Sequence, residues 1–319
     1  SGAGQISAGM EVLRIYPFRD KLFVFGRDQI KYIYVTDSGS FGLKDFTTNI
    51  GCLAPDSILE VGGDLIFLSP DGIRPISATD RIGDFEIASI SKKIQGDIKS
   101  LINSVDPSEI DGLVIRGKSQ FRYFFSDTSL SDDKVYGVIG AIKSSGDGVD
   151  WEYGLTLGIK VSCAYSGYVD NTEYVLHGTH DGKVMRQESG STFNGTDILS
   201  IYSTPYIDFG TPSIRKTLQS VKLFTKPEGT FTLTLSARYD WADPDVLGPS
   251  DRNMESGGFG GAYGSFVYGS GTYGGASDPI LFTNITGSGK SYKLTISSTG
   301  GASYSMQGFV VVYEENGYR

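Results

Sequence analysis

The sequence predicts an all-β protein: a β-propeller-like domain with one short helix, followed by a C-terminal antiparallel β-sandwich. The main observation is a repeated pattern of acidic turn, apolar strand, Gly or Asp turn and second strand, at residues 20–33, 64–76 and, more weakly, 173–185. Leu22 and Leu65 of the first two copies are 43 residues apart, a spacing typical of propeller blades. Composition agrees, because 43 glycines in 319 residues and 39% hydrophobic residues indicate a folded, turn-rich chain.

Two domains are predicted, a propeller-like domain over residues 1–200 and a sandwich over residues 201–319. The pattern starts close to the first residue and the chain does not open with Met, so we expect the N-terminal domain to be incomplete. In the second domain, residues 230–239 alternate between polar residues, mostly Thr, and apolar residues, and further strands are predicted at 290–297 and 309–314.

One stretch departs from the β pattern. Apolar residues at Ile90, Ile94, Ile98 and Leu101 follow a spacing of three and four, which predicts an amphipathic helix near residues 91–103. Ser91 is the predicted N-cap of this helix. Residues 256–276 are rich in Gly and Tyr, carry no charge beyond their flanks, and are predicted to form a loop that can also order against a neighbouring subunit.

Charge and cysteine content exclude some classes of function. The net charge of −9 does not suit a protein that holds nucleic acid by neutralising phosphates. Cys52 and Cys163 are too few for a disulfide framework, and the sequence leaves open whether they are bridged. No apolar run is long enough for a membrane-spanning helix.

No motif predicts catalysis, a metal or a cofactor. His177 and His180 have a spacing that can chelate a metal on a helix, but they lie beside a hairpin turn. Asp240, Asp243 and Asp245 would suit calcium, yet they lack the remaining features of a calcium loop and are predicted to form a solvated turn. Residues 145–151 differ from a sialidase Asp-box at the required glycine. The sequence therefore predicts a protein that is not an enzyme.

Several segments carry a resemblance to a known family. Residues 56–77 contain Phe-Leu-Ser-x-x-Gly-Ile, and residues 90–95 supply the following Ser-x-x-Ile-Gln. With residues 15–25 and 206–216, they resemble the tail nozzle, tail tubular and packaged-DNA-stabilisation proteins of tailed bacteriophages. The resemblance implies a structural component of a virion tail, assembled in the host cytoplasm. It also implies a homo-oligomeric ring, expected to be a hexamer, that contacts portal, adaptor and other tail proteins while DNA passes through without sequence-specific binding.

Two sets of interface residues follow from this hypothesis. The first set would pack subunits together and consists of Phe259, Tyr263, Phe266, Tyr268 and Tyr273. The second set would line the lumen or contact a partner through acidic loops and consists of Asp127, Asp132, Asp133, Asp147 and Asp150. An acidic lumen would repel the duplex and so keep it moving during ejection.

An alternative function stays open at this point. The chain could be a carbohydrate- or receptor-binding β-propeller protein of a virion or cell surface, with its acidity serving only solubility. Such a protein would display exposed aromatic side chains, for which Trp151, Tyr153 and Trp241 are the candidates.

Overall fold

The computed structural model describes residues 5–77, 89–125, 135–145, 148–227, 229–243, 246, 248–257, 279–301 and 303–316. It divides the chain into two compact units, Ser1–Ser189 and Gly190–Arg319. The predicted all-β fold, propeller-like and then sandwich-like, is confirmed, and the predicted short helix is present among the described residues. Among the described residues, no helix has the length and apolar character needed to cross a bilayer.

The first unit is built from antiparallel sheets whose strands follow one another in chain order, as in propeller blades. The first sheet contains β1 (Arg14–Phe18), β2 (Lys21–Phe25), β3 (Ile30–Val35) and β4 (Phe41–Thr47). The second contains β5 (Leu59–Val61), β6 (Asp64–Ser69) and β7 (Gly72–Pro75). The third contains β8 (Ile110–Ile115), β9 (Gln120–Phe125), β10 (Val135–Ser145) and β11 (Gly148–Leu157). The fourth contains β12 (Cys163–Val169), β13 (Thr172–Gly178) and β14 (Val184–Arg186).

Strand β6 shows why a blade strand is apolar on both faces. Successive side chains of a strand point to opposite sides of the sheet. Leu65 and Phe67 lie in one hydrophobic cluster with residues of the first sheet, such as Phe25. Ile66 and Leu68 lie in a second cluster with residues of the third sheet. Strand β6 is apolar at successive positions because it packs between two neighbouring sheets.

The helix begins later than the sequence predicts. A 3-10 turn covers Lys92–Ile94, and the α-helix α1 covers Gln95–Ile102. Ser91 does not cap it, because the buried Ser91 hydroxyl accepts a hydrogen bond of 3.0 Å from the N–H of Ile73. The Ser91 hydroxyl, predicted to cap the helix, therefore makes a tertiary hydrogen bond to Ile73 instead.

The second unit consists of two sheets around one hydrophobic cluster. One sheet has the order β17 (Leu199–Ser203), β23 (Tyr292–Thr299), β19 (Thr232–Tyr239), β20 (Arg252–Glu255). The other contains β18 (Arg215–Pro227), paired with β21 (Ile280–Asn284), β22 (Ser288–Gly289) and β24 (Tyr304–Asn316). A small ribbon of β15 (Thr192–Phe193) and β16 (Thr196–Asp197) precedes them. The cluster draws alternate residues from both sheets, including Val221, Leu223, Leu233, Leu235 and Leu294, as a sandwich core requires.

Candidate functional site

Most of the sequence-predicted interface residues lie outside the described residues. This applies to the whole aromatic set, Phe259, Tyr263, Phe266, Tyr268 and Tyr273, and to Asp127, Asp132, Asp133 and Asp147 of the acidic set. Asp150 is described and exposed. Its carboxylate accepts two hydrogen bonds of 2.8 Å from the ammonium of Lys93, which holds the pKa of Asp150 below its usual range.

Two of the three candidate glycan-binding aromatics are engaged within the fold. Trp151 is half-buried, and its ring centroid lies 5.5 Å from that of Phe121. Tyr153 is also half-buried, and its hydroxyl donates a 2.5 Å hydrogen bond to the carbonyl of Ile90. Their interpretation as exposed binding residues is wrong, because both pack against the core of the first unit.

Trp241 is exposed and sits in an unusual turn. Trp241 is 67% exposed and is the second residue after the end of β19. Asp240, Trp241 and Ala242 have φ angles of 47°, 58° and 62°, so that three successive non-glycine residues adopt the left-handed conformation. Each such residue costs about 1–2 kcal/mol. Strain of this kind persists only where the surrounding structure enforces it, and it is concentrated at functional sites.

Contacts with the neighbouring strand enforce the turn. The Oδ1 atom of Asp240 accepts hydrogen bonds from the N–H of Lys290 (2.7 Å) and of Ser291 (3.0 Å). The N–H of Asp240 in turn donates to the carbonyl of Ser291 (3.0 Å). Hydrogen bonds to a charged group are among the stronger ones in proteins. The carboxylate predicted to lie in a solvated turn therefore anchors the backbone that presents Trp241.

A second aromatic side chain lies beside Trp241. The ring centroid of Tyr206 is 5.9 Å from that of Trp241, with an angle of 32° between the rings. Ile207 pairs with Tyr292 of β23 through hydrogen bonds of 2.8 and 3.0 Å, so Ile207 faces the core and Tyr206 faces outward. We call Tyr206 and Trp241 the aromatic pair.

The aromatic pair stands at the end of a polar sheet face. We define the outer face as the outward-pointing residues of two adjacent strands, Thr234, Ser236 and Arg238 of β19 and Lys293, Thr295 and Ser297 of β23. Neighbouring strands extend it with further polar groups, because the Thr295 and Ser203 hydroxyls are 2.8 Å apart and Ser236 donates to Asp251 over 2.5 Å. The outer face thus displays Ser and Thr hydroxyl groups, one guanidinium and one ammonium beside the two aromatic rings.

Another exposed tyrosine has an ordinary structural explanation. Tyr165 on β12 is 68% exposed, and its ring lies over Gly167, where a Cβ atom would meet the ring at 2.6–2.7 Å. A ring that covers a strand glycine shields backbone that would otherwise be bare. No strained backbone presents Tyr165. It therefore serves as a reference for an equally exposed aromatic residue that an ordinary strand backbone presents.

The first unit also contains a cleft with a cavity volume of about 130 Å³. Phe18 and Phe23 contribute to its lining, together with the carboxylates of Asp20 and Asp64. Asp64 accepts hydrogen bonds from the N–H of Leu65 (2.8 Å), from the N–H of Ser77 (3.3 Å) and from the Ser77 hydroxyl. It is engaged in holding the chain together, whereas glycoside hydrolysis needs two carboxylates directed at the substrate.

The histidines do not form a metal site with their neighbours. His177 is buried in the first unit, and burial lowers its pKa. Within the described part of the chain, no group of three or more His, Cys, Asp or Glu residues is arranged to hold a metal ion. Cys52 is buried and Cys163 is exposed, and both are free thiols.

Comparisons with known proteins give structural similarities but no sequence match. No protein-family model and no curated protein matches the chain. Among solved structures, it is similar to a glycoside hydrolase family 43 arabinoxylan arabinofuranohydrolase from Bacillus subtilis, solved in complex with cellotetraose. The alignment covers 92% of this chain and 77% of that chain, with 13% identity and a TM-score of 0.20. At this TM-score the similarity assigns no activity, substrate or residue role to the chain.

Two sequence predictions are corrected by this comparison. The role of a ring-forming tail nozzle that guides DNA is contradicted, because the similarity leads to a carbohydrate-active protein. The prediction that the chain is not an enzyme is contradicted as well, because that protein is a hydrolase. The aromatic pair provides geometry for the carbohydrate-binding alternative independently of any comparison.

Proposed function

We propose that the chain is a carbohydrate-binding protein and that its C-terminal sandwich binds glycans at the aromatic pair. The observation that carries the proposal is the strained turn Asp240–Ala242, which holds an exposed tryptophan beside Tyr206. A tryptophan that served only to fill the core would not need a turn of three left-handed residues to hold it at the surface. Presentation of its ring to a ligand explains both the exposure and the strain.

The chemistry of the site matches that of sugars. A pyranose ring has an apolar face of C–H groups, which packs on an aromatic ring, and an edge of hydroxyls. Aromatic side chains bury a large apolar surface at low entropic cost, and polar groups around them fix orientation. The hydroxyls of the outer face are suited to that second task. A single shallow platform also predicts weak affinity for one sugar unit and tighter binding of longer chains.

The test is calorimetric titration of the full chain with a panel of defined oligosaccharides. Trp241→Ala should weaken binding by about 30-fold, the effect of losing a hot-spot side chain of roughly 2 kcal/mol. Tyr165→Ala is the matched control, because it removes an equally exposed aromatic residue and should leave affinity unchanged. Equal affinity of the wild type and the Trp241→Ala variant would reject the proposal.

Membership in the tail-protein family, self-association and location in a virion stay predictions. A glycan-binding sandwich is compatible with a place on a virion or cell surface, where recognition of surface sugars would attach the particle. Light scattering of the purified chain measures the self-association directly.

A further inference from the structure

A pair of like charges on the outer face lacks a structural explanation. Arg238 of β19 and Lys293 of β23 are direct cross-strand partners, and both point away from the core. Like charges directly opposite each other on neighbouring strands destabilise a sheet. Neither side chain forms an ion pair with any residue in the part of the chain that the structure describes.

The cation pair lies next to the aromatic pair. Arg238 precedes the strained turn on the same strand, separated from Trp241 by Tyr239 and Asp240. Lys293 follows Tyr292, which pairs with Ile207 in an antiparallel bridge, so this register places Lys293 opposite Tyr206. The register therefore places both cationic residues on the same sheet face as Tyr206, next to the turn that carries Trp241.

The nearby carboxylates do not neutralise this pair directly. Asp240 uses one oxygen to accept two backbone N–H groups, and Asp251 accepts a hydrogen bond from Ser236. Asp243, which also makes an interaction of its own, lies in the loop beyond Trp241. Lys290, whose N–H is one of the two donors to Asp240, adds an exposed third cation at the turn.

From this arrangement we infer that the aromatic pair binds acidic glycans, with Arg238 and Lys293 receiving a carboxylate or sulfate group of the sugar. The inference rests on the proposed carbohydrate-binding function and names its ligand class. A guanidinium binds such groups with two parallel hydrogen bonds, and an ammonium adds a flexible point charge. The anion would also relieve the repulsion between the two cations.

The experiment compares matched ligands by calorimetry with the full chain. The probes are tetragalacturonate, its methyl ester, a κ-carrageenan tetrasaccharide, which carries sulfate groups but no carboxylate, and neutral cellotetraose. We expect the acidic tetrasaccharides to bind at least 10-fold tighter than the neutral ones, with an affinity that falls as salt rises. A preference for the uronate or for the sulfated probe identifies which anionic group the site receives.

The variants separate the inference from the proposed function. Arg238→Gln with Lys293→Gln should abolish the preference for acidic over neutral probes and should unfold at the same or a higher urea concentration than the wild type. Lys222→Gln, an exposed lysine on β18 of the other sheet, is the charge-matched control and should change nothing.

Each outcome decides between the two claims. If neutral and acidic probes bind equally and Trp241→Ala weakens both, the acidic-glycan inference is wrong while carbohydrate binding stands. If the double variant keeps the acidic preference, the preference exists but Arg238 and Lys293 are not its source, and the inference is also wrong. If no probe binds, both claims fail.

Discussion

Replacing Ala242 by glycine should stabilise the sandwich, although glycine usually weakens a fold. Ala242 has a φ angle of 62°, a conformation that glycine adopts without the clash of a Cβ atom. Relief of that clash contributes about 1–2 kcal/mol. The greater freedom of glycine in the unfolded chain costs about 0.5–1 kcal/mol. The net expectation is a gain of about 0.5–1 kcal/mol in the free energy of unfolding.

Hydrogen exchange is the suitable assay, because it reports the two units separately. The slowest amides of β19 and β23 measure the free energy of opening the sandwich. Ala237→Gly is the matched control, because Ala237 is buried in β19 and its φ angle is not left-handed. That control should lose about 1–2 kcal/mol through the lost methyl packing and the added chain entropy.

The same substitution should reduce glycan affinity. A glycine at 242 allows the turn to sample other conformations, so Trp241 would be less preorganised. Part of the free energy of binding would then be lost in ordering the turn. We expect affinity to fall a few-fold while stability rises. A loss of stability by Ala242→Gly as large as in Ala237→Gly would show that the turn is not strained, and the main argument for a binding site at Trp241 would then fail.

Two further predictions concern the first unit. Gly51→Ala should lower its free energy of unfolding in urea denaturation by about 3 kcal/mol or more, because a Cβ atom would lie 2.2 Å from the backbone of Arg27. Gly154→Ala is the control and should be nearly neutral, because nothing lies within contact distance of the added Cβ atom. Burial raises the pKa of Asp111 to about 6, above its unfolded value, so its contribution to stability is present below about pH 4 and is lost as pH rises through 6. The stability of the wild type relative to Asp111→Asn should therefore decrease from pH 4 to pH 7, and a difference that stays constant or increases over this range would contradict the shift.

The local hairpins of the first unit could be predicted because their signals are local. The repeat at residues 20–33 became β2 and β3, and the repeat at 64–76 became β6 and β7. In a hairpin, the turn residues and the alternation of side chains specify the pairing without help from distant parts of the chain. The helix boundary was less predictable, since Ser91 is bound by Ile73 rather than by the helix.

The residues of the candidate site were only partly predictable. The sequence offered Trp151, Tyr153 and Trp241 as candidate exposed aromatic residues. In the structure Trp241 is exposed, whereas Trp151 and Tyr153 are half-buried. Burial depends on which sheets pack together, so composition does not reveal it. Tyr206 was missed as a partner of Trp241, because nothing in the local sequence indicates that two residues so far apart along the chain bring their rings within 5.9 Å.

The sequence by itself determined the class of fold, since alternation and turn residues act over a few neighbours and specify strands and hairpins. Only the tertiary structure decided the candidate site. Asp240 is joined to Lys290 across 50 residues of chain, and this bond helps to hold Trp241 in a conformation that its own sequence disfavours. The physical reason is that strain must be offset elsewhere, and the contacts that offset it form only when distant strands pair.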